Sequence, residues 1–180
     1  MKSRTEVCAG IIPVRISPSG ALDVLLVTQT NTIRCFPKGH VEAIRGGGCE
    51  TLFAAAAREL HEETGLDVHE WLDAPREGFV YDFRFVSVPK HPVQRIQSVQ
   101  RTAVHKVVHL FPALVAGSLA LRPREIASAA WMPLEDASNA LASQPQLQAV
   151  LELARRSANR HIARGLFLNK QKQALEKPSS

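Results

Sequence analysis

The segment Phe53-Ala-Ala-Ala-Ala-Arg-Glu-Leu-His-Glu-Glu-Thr-Gly65 constrains the fold of this chain more than any other. It is built from good or tolerable helix formers without proline, which predicts a helix from about Glu50 to Thr64. Gly65 stands where a C′ glycine ends such a helix. On that helix Glu62 and Glu63 follow Glu59 at the spacings that share its edge. Phe53, Ala56, Leu60 and Thr64 fall on the neighbouring sector and are expected to face a core, whereas His61 lies beyond it and is assigned no role. An exposed acidic face is the ordinary reading of Glu-Glu-x-Gly. Three carboxylates on the edge of a buried helix, however, repel one another unless a cation compensates. Oxygen donors of this kind suit a hard divalent ion, magnesium above all, with manganese as a substitute.

The rest of the chain reads as one domain around that helix. Glu6 to Ser17 and Asp23 to Thr28 are strands joined across the turn Ser17-Pro-Ser-Gly20, a hairpin. Phe36-Pro-Lys-Gly39 opens a loop, and residues 43–49 are too glycine-rich for a regular element. Glu77 to Val88 alternates as a strand with Phe79, Tyr81, Phe83 and Phe85 on one face, a stripe expected to be mostly core. Residues 89–102 form a polar loop, Ala103 to Ala116 and Ala129 to Pro133 are strands, and Leu134 to Ala142 is a short helix. Leu147, Val150, Leu151, Ala154, Ala158 and Ile162 repeat at helical spacing and predict a last helix from about Pro145 to Arg164. Strands and helices in this irregular order suggest a mixed sheet between helices.

Charge is uneven. The net charge is +5, yet beyond residue 154 seven arginines and lysines face only Glu176, so the body is near neutral. We read residues 1–165 as the domain and 166–180 as a basic, disordered tail. Cys8, Cys35 and Cys49 form no CxxC pair, which fits reduced thiols better than zinc or disulfides. No apolar run is long enough for a membrane span, and Met1 to Arg4 is too polar for a signal peptide. A cytoplasmic protein, monomeric or weakly dimeric, is expected.

Glu50, Arg58, Glu59, Leu60, Glu62, Glu63, Gly65 and Leu66 together fit E-x7-R-E-U-x-E-E-x-G-U, where U is aliphatic. This pattern resembles the Nudix box, the signature of the Nudix hydrolases. The resemblance implies an α/β (α+β) fold, an α/β/α sandwich with a mixed sheet and a loop–helix–loop motif. It implies hydrolysis of pyrophosphate bonds with magnesium held by Glu59, Glu62 and Glu63. Arg58 would orient a carboxylate such as Glu59, and Glu50 would steady Arg58 or bind an outer-shell water. The general base would lie in the box or on a later loop, where Glu125 is the candidate. One departure stands out: the family's glycine, matched by Gly39, lies eleven residues before Glu50 instead of six. Residues 43–48 therefore contain a five-residue insertion.

The run Phe36-Pro-Lys-Gly-His-Val-Glu42 looks like the diadenosine tetraphosphate hydrolase branch. That likeness assigns Lys38 and His40 to phosphates, and Phe85 or His109 to an adenine. Five cations from Arg84 to Lys106, Arg101 among them, would form a polyphosphate grip. Dinucleoside polyphosphates are thus the leading substrate class. Removal of pyrophosphate or cap from RNA 5′ ends, with the basic tail holding the backbone, is the alternative. A Nudix-fold binding module without catalysis is a third reading.

Overall fold

The structure, a computed structural model, describes residues 2–17, 19–87 and 102–175. Its centre is a pair of long strands, β1 (Lys2–Ile16) and β7 (Thr102–Ala116), which run parallel from Lys2↔Thr102 to Val14↔Leu114. All other pairings in the sheet are antiparallel: β2 (Leu22–Gln29) and β4 (Lys38–His40) on β1, and β3 (Arg34–Cys35) and β8 (Ile126–Pro133) on β2. On the far side β5 (Asp67–Trp71) and β6 (Phe79–Ser87) both pair with β7. The result is a mixed sheet, in the order β3-β2-β1-β7-β5 with β4, β6 and β8 attached alongside.

Both faces of the sheet are covered, because the middle strands carry apolar residues at consecutive positions rather than alternate ones. Ala9 and Ile11 of β1 meet Ala55, Ala56 and Leu60 of α1 (Leu52–Thr64), with Leu25, Phe111 and Ala113 completing that layer. Cys8 and Ile12 point the other way. They join Ala137 and Leu141, in and just after α2 (Leu134–Ala140), and Leu147, Val150, Leu151 and Ala154 of α3 (Pro145–Leu175). The architecture is α+β, with helices on either side of a mixed sheet, as expected.

Element boundaries agree with the sequence reading at α1, β2, β6, β7 and α2 to within a few residues. Thr51 caps α1 by accepting the Ala54 N–H, and Gly65 closes it in the left-handed region at φ 73°. Four expectations need correction. The segment around Phe36 forms two short strands, β3 just before it and β4 just after it, because Pro37 interrupts a segment that otherwise pairs. Strand β5 was not foreseen: its residues are mostly exposed and polar, and only pairing with β7 makes it a strand. The final helix continues beyond Arg164 to Leu175. The aromatic stripe of β6 is core only over its first half: Phe79 is buried and Tyr81 packs against the core, while Phe83 and Phe85 are exposed. The loop over 89–102 lies almost wholly outside the described residues, as does Arg101. Among the described residues no helix is long and apolar enough to cross a membrane.

Candidate active site

Helix α1 brings its acidic edge against β4, and one glycine makes the approach feasible. A Cβ added at Gly39 would stand 2.0 Å from the Glu59 carboxylate. Gly39 is not in the left-handed region, so here the residue is required for space and not for conformation. Glu59 and Glu63 are buried, at 9% and 4% exposure. Burial raises the Glu59 carboxyl above its ordinary range and takes that of Glu63 to about 7, the neighbouring Lys38 charge opposing the latter. The Lys38 backbone N–H donates to Glu63 Oε2 at 3.1 Å.

Arg58 organises the entrance. Its Nη2 and Nε hold Glu50 at 2.7 and 3.3 Å, and its Nη1 holds Glu59 Oε1 at 2.8 Å. Nη2 also donates to the His40 carbonyl at 2.9 Å. The fork on Glu50 keeps the guanidinium charged and draws the Glu50 carboxyl below its ordinary range. The base of the inserted loop is closed at the same place: the Glu50 N–H donates to the Glu42 carbonyl, and the Glu42 N–H to the Glu50 side chain. Beyond it Ala43 bridges Cys49, and Gly46, Gly47 and Gly48 all adopt φ between +84° and +104°. Their missing side chains face open space, so these glycines serve the turn itself.

Two cavities adjoin this edge. The first, about 380 Å³, is lined by Glu59, Glu63 and Glu125 with Lys38, His40, Lys106 and Arg124. The second, about 680 Å³, is lined by Tyr81, Phe83 and Phe85 with Ile33, Gln144 and Gln146. They share Gln29, Asn31, Lys38 and Lys106. The three rings form a ladder on one strand, centroids 6.3 and 5.9 Å apart. His40 pairs with Glu6 at 3.0 Å, and the Lys106 ammonium lies 3.9 Å from the same carboxylate.

The structure does not bring every expected residue to this place. Glu62 is absent from the carboxylate cavity. Its Oε2 accepts from Arg122 Nη1 at 3.1 Å, so α1 directs two of its three glutamates inward and the third toward the loop between β7 and β8. Accordingly, no three acidic, histidine or cysteine side chains converge on one point among the described residues. His109 sits on the opposite face of β7 from Lys106, with its Nδ1 donating to the Glu77 carbonyl at 2.7 Å, away from both cavities. His61 pairs with Asp67 on the surface. Arg122, Arg124, Gln144 and Gln146 were not anticipated. The only sequence signal for the arginines was their closeness to Glu125, and for the glutamines there was none.

The family model for the NUDIX domain matches residues 6–153. The chain belongs to the Nudix family. Membership makes it a hydrolase of pyrophosphate bonds, and the match spans both cavities and the box helix. Among solved structures, a C. elegans Ap4A hydrolase in a binary complex is similar at 21% identity, with a TM-score of 0.52 over 88% of this chain and 98% of that one. A NUDIX hydrolase from Nitrosomonas europaea is similar at 18% identity and a TM-score of 0.51, over 83% and 87% of the two chains. At these identities the likeness is one of fold. No curated protein matches the sequence.

The donor set fits a divalent cation. Glu59 and Glu63 are buried oxygen donors destabilised by their own desolvation, a condition that a bound hard cation relieves.

Proposed function

We propose that this Nudix hydrolase is magnesium-dependent and cuts dinucleoside polyphosphates such as diadenosine tetraphosphate. The observation that carries this reading is the junction of the two cavities. A nucleoside fits the aromatic chamber, where its base meets the faces of Tyr81, Phe83 and Phe85. A polyphosphate leaving that chamber passes Lys38 and Lys106, both shared with the carboxylate chamber. His40 and Arg124 meet it on the far side. The similarity of fold to the C. elegans Ap4A hydrolase supports the same substrate class.

Magnesium, or manganese in its place, would be held by Glu59, Glu63 and an inward-turned Glu62, and would neutralise phosphate charge and acidify the attacking water. The chain's own groups do the rest. Arg58 orients Glu59 through a charge-assisted bond to its Oε1. Gly39 lets backbone and carboxylate close up without an intervening side chain. Glu125, exposed at the rim of the carboxylate chamber, takes the proton of the incoming water. Lys38 and Lys106 hold the chain of phosphates that the cut leaves behind.

The test is product separation by anion exchange after incubation with magnesium. The panel holds diadenosine tetraphosphate, nucleoside triphosphates, ADP-ribose, diphosphoinositol phosphates and 5′-triphosphorylated RNA. Preferential conversion of diadenosine tetraphosphate to ATP and AMP is expected, whereas preference for RNA would overturn the assignment. On the described part of the last helix Arg155 and Arg156 pair with Glu152 and Arg164 with Asp73, so these three cations are partly neutralised before they could hold an RNA backbone.

A further inference from the structure

Arg122 is the unexpected neighbour of the box helix, and its backbone is fixed. The Ala120 and Arg122 N–H groups donate to the Thr64 and Glu63 carbonyls at 2.8 and 3.3 Å, and the Arg122 carbonyl accepts from Glu125 and Ile126. The loop after β7 is thereby stitched to the end of α1. From that anchor Arg122 Nη1 reaches Glu62 Oε2 at 3.1 Å and Glu125 Oε1 at 3.5 Å. The guanidinium thus bridges two carboxylates on different elements that would otherwise repel. Arg58 approaches Glu62 only to 3.7 Å. Glu62 is therefore held first by an arginine of the loop after β7, whereas Glu50 and Glu59 are held by Arg58 of their own motif.

We propose that Arg122 is a positioning residue that holds Glu62 outside the carboxylate chamber. Glu62 joins Glu59 and Glu63 only by leaving Arg122, so the ion pair sets the cation affinity of the site. This rests on the reading that the site takes magnesium. A ligand binding one of two states gains only what the other state does not already satisfy. The pair is part-exposed, with side chains 47% and 35% accessible, so its effect on affinity is about two- to fivefold.

The experiment is calorimetric titration of magnesium chloride into the chelator-stripped full chain. Four forms are compared: wild type, Arg122→Gln, Glu62→Gln and the double variant. Arg122→Gln is expected to tighten magnesium about two- to fivefold. The same change made in the Glu62→Gln background is expected to shift the Kd by a clearly smaller factor. Equal tightening in both backgrounds would mean that Arg122 acts by its charge alone, and it overturns the proposal. Weaker binding in Arg122→Gln overturns it too, since Arg122 would then be helping Glu62 to ligate. Failure of the wild type to bind magnesium removes the metal reading itself, and this one with it. The Arg122 side chain is half exposed and its backbone bonds are indifferent to the substitution, so melting of the metal-free variants should stay close to wild type.

Discussion

Glu63 shows how much chemistry one desolvated carboxylate can carry. Its pKa is raised by burial to about 7, so the folded state holds a proton that the unfolded state has released. The resulting stability is fully present below about 4.5 and is lost as pH rises through about 7. Glu59, also raised by burial, acts in the same direction. In the presence of a chelator the protein should therefore lose on the order of 3 kcal/mol between pH 4.5 and pH 8 through Glu63. Glu63→Gln should flatten that dependence in thermal melts and lower turnover by orders of magnitude with the fold intact. An unchanged pH profile would show that Glu63 is not destabilised by burial, and near wild-type turnover would show that it is not a ligand. Gly39 offers a second single-residue test. The atoms that an added Cβ would strike are the far end of a flexible side chain, so the carboxylate should yield before the strand does. Gly39→Ala should thus cost little in melting temperature and much in kcat, through displacement of Glu59. A large fall in melting temperature would show instead that β4 moves.

At the scale of the element, the inserted loop and the box helix behave independently. The loop is closed at its base by Glu42 and Glu50, and beyond Ala43 a side chain added at any of its glycines would meet nothing. Shortening the segment Ala43 to Gly48 by five residues should leave the melting temperature within a few degrees and preserve the Arg58–Glu50 fork. Collapse of the fold would mean that the loop is structural. The helix, by contrast, is tied at both ends, by Thr51 and by Gly65. It sits on β1 through small residues, Ala55 and Ala56, which permit a close approach. That closeness is what presses Glu59 and Glu63 out of water and gives them their chemistry. A helix set further from the sheet would leave the same glutamates solvated and ordinary.

For the whole molecule, the long parallel pair β1 and β7 is the frame on which both chambers are hung. Lys106 comes from β7, Lys38 from the strand on β1, and the aromatic ladder from β6 on the other flank of β7. Among the described residues the linings of both chambers end at Leu147, so deletion of 166–180 should leave hydrolysis of small substrates unchanged. A large loss of activity in the truncated chain would place that segment in the site or in the core. The sequence by itself determined the box helix, its ends and the order of its glutamates, because helical periodicity and capping are local properties of the chain. It also determined the long strands, whose apolar runs admit few other uses. Tertiary structure alone decided that Glu62 turns to Arg122, that Phe83 and Phe85 face a cavity instead of a core, that His109 points away from both chambers, and that the polar segment 67–71 is a strand. Each of these depends on which surface lies opposite, and that surface comes from residues distant in sequence. A local pattern records the chemistry a side chain can offer, whereas burial and partnership are set only when the sheet brings remote segments together.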